Sequence, residues 1–342
     1  MDDSDRVARK LSALLDLGLT PVEVPPVASE TVKVGGRRYK VLTARPSMGT
    51  LVSMAVIHSS RDRAEEAVGR AFEEIDRLVG ILSRHDESTA LAYLNREGFL
   101  EGMPPEMGRV VARALYYNRV SNGTFDISVK PVVDLLERKA ETREGIEPTE
   151  DEMREALALT GSGGIELTEH TIGFKKQRMG ITLDGIAKGY IVDRVAEVLA
   201  GHRIKNFLIN AGGDIRTAGR RDDRKPWTVA VQDPAKGGEY PDIIHLSNRA
   251  VATSGGYEIY FDPEMKLHHI VDSATGRSPG MNASVSVVAP TAIAADALAT
   301  TLFLMEPAGW IALMESLPGC ECLIVDAKGA QSKTKGWESA PR

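Results

Sequence analysis

Only two cysteines occur in the 342 residues, Cys320 and Cys322, too few for a disulfide framework. The Cys-x-Cys pair has no further thiolate partners for a zinc site, and its surroundings, ECLIVD, read as a late strand. Positive charge is also scarce. The 42 Lys and Arg against 48 Asp and Glu leave a net charge of -6, and no long basic run supplies a nucleic-acid footprint. No unbroken apolar stretch approaches the ~20 residues of a membrane span. The N-terminal MDDSDRVARKLSALLDLG is acidic first and lacks the continuous apolar core of a secretory signal. These absences lead to the expectation of a cytoplasmic protein with no nucleic-acid partner and no membrane span. With 42% apolar and 26% charged residues, the chain has the composition of a globular protein able to bury a large core.

Residues 5–17 carry Val7, Leu11, Leu14 and Leu15 at helical spacing, and the prolines of PVEVPPVASE read as an extended linker. The expected division is a helix and Pro-rich linker over 1–38, one domain over 39–335 and a tail over 336–342. RRYKVLTARPSMGTLVSMAVI reads as two strands around a polar kink at 47–50. Ala64, Val68, Ala71, Ile75, Leu78 and Leu82 predict a helix over 62–82. A second helical pattern from Val110 stops at SNGTFD, and Thr149 to Glu152 form a capping box ahead of MREALAL. Strands are predicted at GIELTEH, TIGFK, IKNFLIN, WTVAVQ, DIIHLS, AVATS, YEIYF, HHIVD and SVSVVA, with a long helix at TAIAADALATTLFLM. Hairpin-spaced strands mixed with a few long helices indicate an α+β protein rather than a regular βαβ winding.

In ITLDGIAKGY, residues 181–190, an extended Ile181–Leu183 gives way to helical spacing, with Lys188 between glycines. Glycines and a cation at a helix start suit a bound phosphate. Asp296 and Thr300 lie four apart, one above the other on a helix. Both offer oxygen, which Mg²⁺ prefers; alternatively Thr300 bonds a carbonyl one turn back and Asp296 is solvated. HHIVDSATGRSPG places two histidines ahead of Asp272. A histidine beside a carboxylate can serve as a general base near neutral pH, or the pair can be structural. NAGGD lacks the helix-opening context of a dinucleotide fingerprint. VATSGGYEIYF reads as a hairpin around Ser254. SNGTFDISVKP stops a helix at Gly123 and presents Thr124, Phe125 and Asp126.

Together and in order, SMGT, LSRHDESTALAYLN, GTFDISVKP, LDGIAKGYIVD, INAGGDIRTAG, VQDP, ATSGGYE, HHIVDSATG and SVVAPTAIAADALATTLF resemble the ApbE family, the FAD:protein FMN transferases. The resemblance implies an ApbE-like (T-fold-like) α+β fold, with mixed sheets flanked by helices and the nucleotide in a central cleft. It implies FAD as substrate and Mg²⁺ as cofactor. The FMN half passes to a Thr or Ser hydroxyl of an acceptor flavoprotein, and AMP is released. By position, Asp296, Thr300 and the Gly185 carbonyl match metal ligands. Met48, His85, Thr124, Phe125, Asp126, Thr182, Lys188 and Ile270 match nucleotide contacts, and His269 matches the histidine that assists catalysis, with Asp272 behind it. One departure stands out. Family members usually read Asp-x-Gly-Gly before Ile-Ala-Lys-Gly, whereas this chain has Thr182-Leu183-Asp184-Gly185, so Asp184 is expected either to reach the metal or to repel the diphosphate. Two rival functions share the same residues: a Mg²⁺-dependent FAD pyrophosphatase giving FMN and AMP, and a non-catalytic flavin-binding protein.

Overall fold

Residues 39–58 alternate between two cores, and that alternation sets the layers. Val41, Val52, Met54 and Val56 point into one core, while Leu42, Ala44, Ala55 and Ile57 point into the other. A sheet buried on both faces needs cover on both. The computed structural model describes residues 28–36, 38–142, 147–221, 224–232, 240–256, 268, 270–280 and 282–340.

In chain order the first described elements are β1 (Ala28–Lys33), β2 (Tyr39–Ser47), β3 (Thr50–His58), α1 (Arg61–Leu82), α2 (Ala90–Glu97), β4 (Phe99–Glu101) and α3 (Pro105–Val120). Next come α4 (Lys130–Thr142), α5 (Glu150–Leu157), β5 (Ile165–Leu167), β6 (Thr171–Phe174) and α6 (Ala187–Gly201). The strands β7 (Asn206–Ala211), β8 (Asp214–Ala218), β9 (Trp227–Ala230), β10 (Ile243–Leu246), β11 (Ala250–Gly255) and β12 (Asn282–Ala289) follow. The last are α7 (Ala292–Leu304), α8 (Pro307–Glu315), β13 (Glu321–Asp326) and β14 (Gln331–Lys333). Nine strands form one antiparallel sheet in the order β1-β2-β3-β7-β8-β11-β12-β13-β14. The α+β expectation holds.

On one face lie α1, α6 and α7, packed over the larger core. The second core is closed by the β9–β10 hairpin, with Trp227, Val229 and Ile244, and by Trp337. α7 is apolar nearly all round and almost wholly buried, as expected for a helix held between other elements. Asp296 is the single charged residue within it. The predicted helix over 62–82 and the Thr149 capping box both form.

Four expectations change. Residues 28–33, placed in the linker, are the sheet's edge strand, with Ala28 opposite Ala44 and Lys33 opposite Tyr39. Trp337, placed in the tail, is buried in the second core and donates its indole N–H to Asp242 at 2.8 Å. Ile181–Leu183 joins no sheet, and Ile270–Asp272 of HHIVD are not in a strand. In each of the last two, an extended run is buried without a paired strand, Val271 against α4 and α5 and Ile181 and Leu183 in the larger core. The predicted strand YEIYF and the helix over 5–17 lie outside the described residues.

α6 and α7 touch at Gly189. A methyl there would sit 2.8 Å from the Asp296 Cβ and closer still to the Ala292 carbonyl. Gly189→Ala is therefore expected to lower stability by ~1–3 kcal/mol through overpacking. Gly69 lies exposed within α1 with open space around it, and Gly69→Ala is expected to raise stability by ~0.5–1 kcal/mol. Thermal unfolding of the two variants beside the parent checks both signs; the same shift in both would remove the close-crossing explanation.

Candidate functional site

The segment before α6 owes its shape to a side chain. Asn95 accepts the Ile181 N–H through Oδ1 at 2.8 Å and donates Nδ2 to the Ile181 carbonyl at 2.9 Å. The Thr182 N–H goes to the Ile127 carbonyl at 2.8 Å. With its backbone satisfied in this way, the chain runs extended without a strand partner. It then turns at Asp184-Gly185 into α6, whose Ala187 N–H bonds the Leu183 carbonyl.

Three oxygen donors meet beyond this turn. A Cβ at Gly185 would lie 3.2 Å from the Thr300 hydroxyl and 3.3 Å from the Phe125 ring, so the Gly185 backbone lies against Thr300. The Thr300 hydroxyl is also 3.2 Å from the Ser254 hydroxyl. The Asp296 Oδ2 accepts the Gly189 N–H at 2.9 Å. Lys188 donates to Asp214 Oδ2 at 2.7 Å, and Asp214 is only 2% exposed. Gly185, Lys188, Ser254, Asp296 and Thr300 line one cleft with Phe125, Asp126, Thr182, Asp184, Gly212 and Ile270.

Electrostatics single out Asp296. Burial and the nearby charge of Asp214 push its carboxyl up to about 7, against the opposing pull of Lys188 and the Gly189 amide. Among the described residues it makes no ion pair, and no three His, Cys, Asp or Glu side chains converge on a metal-binding arrangement. A cation here would need neutral oxygens as well as the carboxylate. One buried carboxylate, one hydroxyl and one carbonyl, all oxygen, match the hard-ligand preference of Mg²⁺, which usually completes its shell with water and phosphate. The residues present therefore fit the ion.

The structure brings eight of the expected residues to this cleft: Phe125, Asp126, Thr182, Gly185, Lys188, Ile270, Asp296 and Thr300. Asp126 is already engaged, accepting from the Ser128 and Ser162 hydroxyls and amides at 2.6–3.1 Å. Met48 stands at the β2–β3 hairpin tip with φ +54°, beside Gly49 at +69°, the pair of left-handed residues that a tight two-residue turn requires. Thr50 of the same hairpin packs on the cleft residue Gly212. Thr124 and the exposed His85 lie outside the lining. Asp272 does not reach the cleft: its carboxylate accepts the Ala274 N–H at 2.8 Å and the Thr275 hydroxyl at 3.1 Å within its own turn. His269 lies outside the described residues.

Sequence reasoning missed Asp214 as the partner of Lys188, Ser254 as the neighbour of Thr300, and Asn95 as the clamp on Ile181. The two glycines before Asp214 were the available signal; the others are contacts between segments far apart in sequence. Asp184 does not stand alone. It pairs with Arg84 at 2.9 Å. Partial burial opposes its charge, yet Arg84 and Thr182 outweigh that and hold its pKa below the ordinary carboxylate value.

Size alone does not identify the site. A larger cavity of about 1120 Å³ lies along α3 and α6, lined by Arg109, Arg113, Tyr190 and Arg203. Of its two lining carboxylates, Asp193 is committed to the Ala292 and Ile293 amides, each at 2.9 Å, and Glu197 pairs with Arg194.

Residues 48–324 match the model of the ApbE family. A protein of Haemophilus influenzae named FAD:protein FMN transferase is 35% identical over 73% of this chain and 74% of its own. One of the same name from Vibrio cholerae is 29% identical over 79% and 83%. Among solved structures, the ApbE protein of Thermotoga maritima superposes with a TM-score of 0.78 at 28% identity, covering 90% of this chain and 97% of its own. A mutant of the flavin transferase ApbE from Vibrio cholerae gives 0.77 at 26% identity, over 86% and 97%.

The raised pKa of Asp296 has a definite sign in stability. The fold favours the protonated carboxyl, so this contribution is complete below the ordinary value of 3.8 and is lost as pH rises to about 7. Metal-free protein is expected to lose stability through this group on the order of a few kcal/mol across that range. Asp296→Asn should flatten the slope. Urea unfolding of both proteins near about pH 5 and about pH 8 measures it; parallel pH dependence would place the titration elsewhere.

Proposed function

The chain belongs to the ApbE family, and from that premise we propose that it transfers the FMN moiety of FAD to a Thr or Ser hydroxyl of an acceptor flavoprotein. One observation carries the proposal. The Gly185 backbone, Asp296 and Thr300 come from segments more than 100 residues apart, yet they line one cleft with Lys188. The cleft encloses about 90 Å³. At ~30 Å³ per water, that is room for an ion and a phosphate group rather than a whole dinucleotide.

In this mechanism Asp296, Thr300 and the Gly185 carbonyl would hold Mg²⁺. The ion, when bound, would offset charge on the diphosphate and on the departing AMP phosphate. Lys188 brings a second positive group, fixed in direction by Asp214. Phe125 and Ile270 form apolar wall beside it. The acceptor hydroxyl oxygen attacks the phosphorus on the FMN side, the bond to the AMP phosphate breaks, and the hydroxyl proton leaves to a base. Phosphoryl transfer of this kind asks chiefly for alignment and charge stabilisation. The base role goes to His269, as the resemblance implies. Asp272, whose carboxylate accepts the Ala274 N–H and the Thr275 hydroxyl in its own turn, would act only through His269.

A pyrophosphatase would use the same cleft with water in place of the hydroxyl. Incubation with FAD, Mg²⁺ and a candidate acceptor domain, followed by intact mass, separates the two. A gain of FMN less water, with AMP released, is the expected result; free FMN with an unmodified acceptor would mean hydrolysis. Asp296→Ala is expected to abolish Mg²⁺-dependent AMP release while the protein stays folded. His269→Ala should slow transfer by ~10²–10⁴ with FAD affinity nearly unchanged. Equal losses of rate and affinity would make His269 a binding residue instead.

A further inference from the structure

Arg84 reaches two carboxylates from distant parts of the chain. Its Nε donates to Asp184 Oδ2 at 2.9 Å, while its two terminal nitrogens donate to the Glu137 oxygens at 2.6 and 3.1 Å. The Arg84 side chain is 10% exposed, against 49% for Asp184 and 34% for Glu137. An isolated surface ion pair contributes little. A largely buried guanidinium used as a fork between two acids is different, because removing it leaves both acids facing each other without a cation.

The location gives this cluster its role. Asp184 lines the cleft one residue before Gly185, in company with Asp126 and Asp296. The lining cation Lys188 is already bonded to Asp214. A diphosphate entering this cleft therefore meets a site rich in carboxylates. Arg84 also joins three elements: the loop after α1, the turn that opens α6, and α4 through Glu137. Ser83, next to it, accepts the Thr89 hydroxyl on its carbonyl at 2.6 Å, so the loop carrying Arg84 is itself tied down.

We propose that Arg84 is a positioning residue of the nucleotide site, which acts through Asp184 by offsetting that carboxylate's charge at the cleft so that FAD's diphosphate can bind. This rests on the function proposed above and assigns a part to the Arg84–Asp184 pair. Arginine serves better than lysine, whose ammonium cannot hold two carboxylates in fork geometry.

The test is a charge-rescue cycle on the full chain, with FAD affinity measured by flavin fluorescence in the presence of Mg²⁺ and thermal unfolding followed in parallel. Arg84→Ala is expected to weaken FAD binding at least about tenfold, the scale of one lost charge-assisted contact. Arg84→Ala combined with Asp184→Asn should return affinity to within about threefold of the parent, because the uncompensated charge is gone. Arg84→Lys should fall between. If Arg84 acted only as a structural tie, Asp184→Asn would leave the affinity of Arg84→Ala unrestored, and that result overturns the proposal, as does unchanged affinity in Arg84→Ala. Failure of the parent chain to bind FAD would instead overturn the function on which the proposal rests. Should Arg84→Ala unfold, Arg84→Gln with and without Asp184→Asn gives the same comparison.

Discussion

The structure depends on the crossing of α6 and α7, where each helix donates backbone amides to a carboxylate of the other. Gly189 of α6 donates to Asp296 of α7, while Ala292 and Ile293 of α7 donate to Asp193 of α6. The exchange needs the helices in backbone contact, which is why no side chain fits at position 189. It also places a carboxylate inside an otherwise apolar helix, a position that is costly unless the charge is met by donors or a cation. One amide meets only part of that demand, and burial shows it by holding the Asp296 carboxyl near neutrality. The same contact that joins the helices therefore sets one incompletely satisfied carboxyl at the cleft.

The acids around the cleft divide by what already answers them. Asp126 is saturated by two serines, Asp184 by Arg84, Asp214 by Lys188, and Asp272 by its own turn. Asp296 alone, among those described, has no bonded cation and a single amide donor. In the function proposed above a divalent ion would answer it, with Thr300 and the Gly185 backbone as neutral oxygens beside it.

How much of this was legible in sequence depended on the range of the interaction. Asp296 and Thr300 were visible because a helix repeats every 3.6 residues and places i and i+4 together. The 62–82 helix and the Thr149 capping box were visible for the same local reason. Ile181–Leu183 looked like a strand because its residues are apolar and extended. Its true partner is a side chain 86 residues away, Asn95, which no periodicity encodes. Asp184 looked like a carboxylate that would reach the metal or repel the diphosphate because the guanidinium paired with it lies 100 residues upstream. Residues 28–33 looked like linker because the prolines before them dominate the composition, whereas the edge strand needs only backbone pairing to β2. Local chemistry was readable; the assignment of partners was not.

The size of the cleft shapes the specificity that the proposed activity would need. An enclosure of about 90 Å³ recognises an ion and a phosphate, groups common to every nucleoside diphosphate derivative. Discrimination for one dinucleotide must then come from its rim, where the flavin and adenosine ends would lie. Beside the cleft stand the β2–β3 hairpin, whose Thr50 packs on the lining residue Gly212, and the turn of Asp184, tied to Arg84. The oxygens assigned to the ion can thus stay generic while selectivity is set by what stands around them.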